Sequence, residues 1–360
     1  MKKTLLAVLL LPVFSNAQVI PAFTTPDTVC VNDPVPITNT STGASTYYWN
    51  FCVGDVNKPP VGTNLGNIGG AMTSPVYMDY VFDNGNYYGF VTDNYTGKLF
   101  RLDFGASLLN TPTITDFGTL GGVIPTSVEG IQVVKNEGKW YAIIVGGDLI
   151  GTGVDARIVK VEFGASITNP APVATNWGNL GNMAYPHDIY LFNDNGTWYG
   201  ITANYSNNTI TKFNFTNSFS NTPTGVNLGN IGSLNGPTGL YTINDNGNWY
   251  VFVTNALSST LTRLNFGNSL LNTPTGVNLG NPGGLFHTCW DITILKFCGN
   301  LVAYVINADQ SYNDLLKLDF KGNITNIPTV TSFGNVGNMS FPHSLSRFFR
   351  VGADVFAFTT

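Results

Sequence analysis

The sequence predicts an all-β protein of the β-propeller class, on three observations. A glycine-rich signature recurs along the chain, strand-like alternation fills the interval between copies, and a tight-turn dipeptide stands at the same place in several of them. The signature reads LGNIGG from Leu65, FGTLGG from Phe117, WGNLGN from Trp177, LGNIGS from Leu228, LGNPGG from Leu279 and FGNVGN from Phe333. Its first glycines are 52, 60, 51, 51 and 54 residues apart. A period of this length marks a repeat architecture in which one unit cannot bury its own apolar faces.

Each copy has the same internal order. A first run alternates with period two, as in PVYMDYVF from Pro75, and so places successive side chains on opposite faces of a strand. Asn84-Gly85, Asn195-Gly196 and Asn246-Gly247 follow these runs. Asn-Gly suits a two-residue hairpin, where both central residues need positive φ. An aromatic run comes next (NYYGFVT, TWYGITA, NWYVFVT), then a polar loop and a third run (KLFRLDFG, TITKFNFT, TLTRLNFG). A linker such as ASLLNTPT leads to a short fourth run. Four antiparallel strands in about 50 residues make one propeller blade. The longest interval carries an insertion, GGDLIGTGVDA from Gly146.

The ends of the chain suggest closure. The last copy stops at VFAFTT, after its second strand. YYWNFCVGDVNKPPVGTNLG from Tyr47 aligns with LFRLDFGASLLNTPTITDFG from Leu99, the third and fourth strands of a repeat. The expectation is six four-stranded blades, the last closed by N-terminal strands. The expected divisions are a signal peptide at 1–17, an N-terminal segment at 18–46 and the propeller at 47–360.

Lys2 and Lys3, the apolar run Leu5 to Phe14, and Ser15-Asn16-Ala17 read as a cleaved export signal that leaves Gln18 first. The apolar run is too short to cross a hydrocarbon core of about 30 Å, and no later run approaches ~18 apolar residues. The mature protein is expected in the medium or on the outer cell surface, as a monomer without membrane insertion. Charged residues are 10% of the chain, against about 25% in ordinary domains. Without Lys2 and Lys3, 14 basic residues face 21 acidic ones. No basic stripe exists to neutralise phosphates, which argues against nucleic acid and against anionic membranes.

Of the four cysteines, Cys30 and Cys52 are the expected disulfide. Cys289 and Cys298 stand at opposite ends of one predicted strand, nine steps of ~3.3 Å apart. A disulfide needs Cα atoms roughly 4.4–6.8 Å apart.

In a propeller the first strand of each blade lines the central channel. Alignment back from the hairpin turns puts Val76, Glu129, His187, Thr238, Trp290 and His343 in one ring at a channel mouth. Asp188 and Asp291 stand one position deeper. His187 and His343 lie three repeats apart and so face each other in a six-fold ring. Glu129, His187, Asp188, Trp290, Asp291 and His343 are therefore the expected ligand site, with Trp290 as a stacking surface and the histidines expected to hold their protons to raised pH beside carboxylates. Imidazole and carboxylate are also zinc ligands, so one zinc or calcium ion at this mouth is the alternative to no cofactor. His287 reads as a loop residue. Trp140, Trp198, Trp249 and Tyr88 recur at one repeat position and read as blade-to-blade packing.

The order of Pro, apolar alternation, Asn-Gly and Trp/Tyr-Tyr-x-x-Val over residues 66–360 resembles NHL-type and related six-bladed propeller repeats. TVCVNDPVPITNTSTGASTYYWNFCVGD from Thr28 resembles the first half of a polycystic-kidney-disease-type domain, whose core reads Tyr-x-Trp-Asp-Phe-Gly-Asp; Cys52 and Val53 interrupt it here. The whole is similar to the large secreted Asn/Thr-rich propeller proteins of Bacteroidota. Some six-bladed lyases and lactonases of similar fold hold a metal at the channel mouth, as that resemblance implies.

Neither a Gly-x-Ser-x-Gly elbow nor a phosphate loop is present, since no helical pattern follows the glycines. Blades that differ by conservative swaps favour a non-enzymatic binding or display module with a glycan or surface-protein partner. A metal-dependent lyase or lactonase is the alternative, and a structural spacer is the third reading. Non-reducing peptide mapping is expected to recover Cys30 joined to Cys52 and no bridge between Cys289 and Cys298; a 289–298 bridge would mean that the strand between them is misplaced.

Overall fold

The computed structural model describes residue 20 and residues 22–28, 35–43, 56, 58–297, 300–351 and 354–360. The chain divides into two units, Met1–Phe51 and Cys52–Thr360. In the first, Phe23–Thr24 pairs antiparallel with Thr38–Asn39. The expected signal peptide, Cys30, Cys52, Cys298 and the stretch 47–55 lie outside the described residues.

The second unit contains five four-stranded antiparallel blades among the described residues. Blade 1 runs Pro75–Asp83, Asn86–Asp93, Lys98–Gly105 and Thr113–Asp116. Blade 2 runs Val128–Asn136, Lys139–Gly146, Arg157–Gly164 and Val173–Asn176. Blade 3 runs Pro186–Asp194, Thr197–Asn204, Thr209–Thr216 and Thr224–Gly229. Blade 4 runs Pro237–Asp245, Asn248–Asn255, Thr260–Gly267 and Thr275–Asn278. Blade 5 runs Cys289–Phe297, Asn300–Asn307, Leu315–Asp319 and Thr329–Ser332. Strands follow in chain order from the inner strand outward.

The local chemistry explains the elements. Asn84, Asn195 and Asn246 have φ of 49°, 50° and 50°, each followed by a left-handed glycine, as the tight hairpin requires. The glycine-rich signature is held by its own asparagine. Asn179 and Asn230 each accept from the backbone N–H four residues on and donate to that residue's carbonyl, closing the loop on Met183 and Leu234. Asn335 does the same with Met339, and Asn67 and Asn281 with Met72 and Phe286, five residues on.

Apolar clusters lie between blades rather than within them. One joins Phe90 of blade 1 to Trp140, Val161 and Phe163 of blade 2, and another joins Phe252 of blade 4 to Leu316 and Phe320 of blade 5. The hairpin aromatics Trp140, Trp198, Trp249 and Tyr88 pack in or against these clusters.

The expectation of six four-stranded blades is corrected to five. After blade 5 the chain makes a two-stranded hairpin, Phe349–Val351 with Asp354–Phe356, extended by a bridge between Leu345 and Thr359. The sixth copy keeps its place in the ring through side chains instead of a full sheet. Arg347 donates to Asp79 of blade 1 at 2.7 Å, Tyr80 Oη to the Phe348 carbonyl, and Thr360 Oγ1 to the Val76 carbonyl. Phe349 and Phe358 pack on the apolar face of blade 1.

Residues after 56 pass along this sector. A Cβ on Gly62 would lie 2.6 Å from the Gly337 nitrogen, the same conflict that Gly225 makes with Gly181 and Gly276 with Gly232. In blades 3 and 4 that contact belongs to the fourth strand. Cys289 is buried as a free thiol at the head of its strand.

Gly62→Val is expected to cost about 1–3 kcal/mol of stability through overpacking, as Gly225→Val should. Thermal unfolding of both variants checks it; an unchanged Tm for Gly62→Val alone would show that this segment does not pack in the last sector.

Candidate functional site at the channel mouth

Every inner strand opens with a register irregularity against its neighbour, at Pro75/Tyr77, Val128/Ile131, Pro186/Ile189, Pro237/Leu240 and Cys289/Asp291. Such a bulge bends the strand and re-aims its side chains. Val76, Glu129, His187, Thr238 and Trp290 of the expected ring fall in these bulges, and His343 precedes the closing hairpin. The residue before the inner strand is left-handed at Ser127, Tyr185 and Thr288, and Phe341 is left-handed two residues before His343, an uncommon backbone for bulky or β-branched side chains. Gly130 is needed here: a Cβ would lie 2.5 Å from the His187 carbonyl oxygen.

The structure brings together Glu129, His187, Trp290 and His343. Glu129 and His187 are wholly buried, with His187 Nδ1 3.9 Å from Glu129 Oε2, beyond hydrogen-bond reach. Glu129 Oε1 accepts from Tyr185 Oη at 2.8 Å and from Asn94 Nδ2 at 2.5 Å. Its Oε2 has no protein partner, nor has either nitrogen of His187. Trp290 stands between the two histidines, its ring centroid 5.3 Å from His187 and 4.5 Å from His343. Tyr205 lies 5.2 Å from His187 and parallel to Trp290. Tyr185, Tyr205, Trp290 and His343 are half-buried, so an aromatic rim surrounds a buried acid.

Below them lie Asp188, Asp291 and Tyr77, all buried. The two aspartates serve the fold directly. Asp188 accepts from its own strand at Ile189 and from Leu240 of the next blade; Asp291 accepts from Ile292 and from Leu345 of the closing hairpin. Tyr77 is pushed up by burial first and then by the fields of Asp291, Asp188 and Glu129, which places all four in one electrostatic neighbourhood.

Burial governs the protonation of the site. It pushes Glu129 up to about 8, against the opposing hydrogen bonds from Tyr185 and Asn94. It pushes Asp188 up to about 7 and Asp291 well above the carboxylate range, the latter also through Asp188. The expected raised histidines are corrected. Burial lowers His187 well below the ordinary value, with His343 adding to the shift, and lowers His343 to about 4. Glu129, protonated beside His187, supplies no field to oppose the loss of solvent.

Among the described residues no group of three His, Cys, Asp or Glu side chains is gathered closely enough to hold a metal ion. His287 stacks on Tyr312 away from the ring, at 3.8 Å between centroids. Tyr185, Tyr205 and Tyr77 are the members that the sequence reading missed. Tyr185 carried a usable signal: it stands before Pro186 where other copies have Ser74, Ser127 and Gly236.

Neither a family model nor a curated protein matches the chain. Solved structures do. A GH43_1 enzyme from Xanthomonas citri complexed with xylose is 11% identical, with TM-score 0.43 over 72% of this chain and 86% of that one. A thermostable family-43 glycoside hydrolase is 12% identical, with TM-score 0.44 over 83% and 94%. An α-L-arabinofuranosidase from Podospora anserina in complex with cellotriose is 13% identical, with TM-score 0.45 over 76% and 93%. At these identities the likeness is one of fold.

The expectation of a non-enzymatic binding or display module is corrected. The matching structures are glycoside hydrolases, and the premise of uniform blades fails at the mouth. There the repeat position reads Val, Glu, His, Thr, Trp, His.

Glu129 titrates near 4.5 when unfolded and near 8 when folded. The folded state therefore holds a proton that the unfolded chain has released, and this contribution to stability is lost as pH rises through about 8. Urea midpoints are expected to fall between pH 5 and pH 9, with a shallower fall in Glu129→Gln. Equal slopes for the two proteins would place the Glu129 carboxyl in water.

Proposed function

We propose that this chain is an exported enzyme that cleaves glycans by acid–base catalysis at the Glu129 mouth. The observation that carries the reading is the state of Glu129: a buried carboxyl held near pKa 8, with Oε1 fixed by Tyr185 and Asn94 and Oε2 free. Glycosidic cleavage needs a carboxylic acid that is still protonated at neutral pH and a second carboxylate to act on the sugar's other face or to stabilise its charge. Glu129 is the proton donor, through Oε2. Asp188 and Asp291 resist ionising together, and Asp188, at about 7, supplies the carboxylate. The half-buried rings of Trp290, Tyr205 and Tyr185 offer apolar faces with polar tips, a surface suited to sugar rings. The reaction class agrees with that of the hydrolases named above, but the reading rests on the site.

Hydrolysis of 4-nitrophenyl glycosides of neutral pentoses and hexoses tests it. Glu129→Gln is expected to lower kcat by about 10²–10⁴-fold with an unaltered circular dichroism spectrum, and Trp290→Ala to raise KM with less effect on kcat. The rate should also decline as pH rises through about 8, where the acid loses its proton. No cleavage of any such substrate by the wild type, or an undiminished rate in Glu129→Gln, would refute the assignment.

A further inference from the structure

The inner strands end at the opposite mouth of the channel, around a cavity of about 620 Å³. Its walls include Lys135, Lys296, Arg347, Trp140, Tyr80 and Tyr241, drawn from four blades and the closing hairpin. Each cation is backed by a carboxylate. Lys135 meets Asp83 at 3.2 Å, Lys296 meets Asp245 at 2.9 Å, and Arg347 meets Asp79 at 2.7 Å. The carboxylate side chains are at most 9% exposed, whereas the cationic ones are 40–51% exposed. The acids therefore sit behind the wall and the cations form its surface.

The acids are also occupied elsewhere. Asp79 accepts from the Val133 N–H, Asp83 from the Asn84 side chain and Asp245 from the Asn246 side chain. An ammonium has three donors, and each lysine gives one to its aspartate. Trp140 and Arg347, two residues of the wall, each keep a ring or guanidinium N–H buried without a hydrogen-bond partner, Trp140 Nε1 and Arg347 Nε. Tyr80 and Tyr241 are half-buried beside them.

We propose that this second mouth binds an acidic sugar, a ring bearing a carboxylate. The carboxylate is taken by the cations of Lys135, Lys296 and Arg347, and the ring lies on Tyr80 and Tyr241. The site stands at the other end of the channel from Glu129 and does not depend on the reaction proposed there.

Titration calorimetry with digalacturonate, its neutral counterpart galactobiose, and inorganic sulfate tests it. Wild-type protein is expected to bind digalacturonate at least tenfold more tightly than galactobiose or sulfate, and Lys296→Gln to weaken that binding at least tenfold. Should Lys296→Gln fail to fold with Asp245 left buried, the double variant Asp245→Asn/Lys296→Gln carries the same expectation with the buried charge removed. Lys139→Gln, which removes a cation paired with Glu162 outside the cavity, should bind as wild type does. Absent binding, equal affinity for the acidic and neutral sugars, equal affinity for sulfate, or unweakened binding in a folded Lys296 variant would each overturn the proposal.

Discussion

The propeller depends on how neighbouring inner strands hold each other. They belong to different sheets, so no continuous backbone ladder joins them. Side chains make the joints instead, and they recur at fixed depths. Near one mouth, Asp188 reaches Leu240 and Asp291 reaches Leu345. At mid-channel, Asp79 accepts from Val133 and Gln132 from Leu191. Near the other mouth, Asp83 meets Lys135 and Asp245 meets Lys296. Threonines add a further tie: Thr92 donates to the Glu129 carbonyl and Thr238 to that of Cys289. Arg347 on Asp79 closes the circle without a complete sixth blade. Buried polar groups of this kind are stabilising when paired and costly when one partner is lost.

The joints and the site use the same buried channel. Because Glu129 stands in low dielectric, it holds its proton at neutral pH, which makes it an acid and also makes its ionisation destabilising. In the proposed reaction Asp188 serves both the fold and the chemistry, while Asp291 serves the fold. Their backbone bonds favour the ionised form, but burial outweighs those bonds. Structure and reactivity at this mouth therefore cannot be tuned independently.

Much of the fold was legible in the sequence because its signals are local. Asn-Gly turns, period-two runs and the recurring signature mark strand and turn positions within a few residues of one another. The ring of Val76, Glu129, His187, Thr238, Trp290 and His343 followed from repeat alignment alone. The blade count did not, because the copy after blade 5 forms a two-stranded hairpin among the described residues, and strand-like spacing does not tell two paired strands from four. Asn94 and Tyr205 come from loops between second and third strands, whose direction over the channel no periodicity encodes. The histidines were misjudged for another reason: their charge depends on burial and on the protonation of neighbours, and neither is visible until the ring is closed.

The Asn-Gly hairpins carry a consequence for the lifetime of the molecule. In such a dipeptide the unhindered glycine nitrogen can attack the asparagine amide, and ammonia departs as a succinimide forms. Hydrolysis then leaves aspartate or its backbone-extended isomer. Asn84 and Asn246 are each hydrogen-bonded to a neighbouring aspartate, Asp83 and Asp245, the residues that pair with Lys135 and Lys296. Conversion would set a second negative charge beside each of these ion pairs and lengthen a turn built for two residues. The turn chemistry that specifies the blades thus also sets a slow clock on them, and long-lived molecules would age first where the inner strands end.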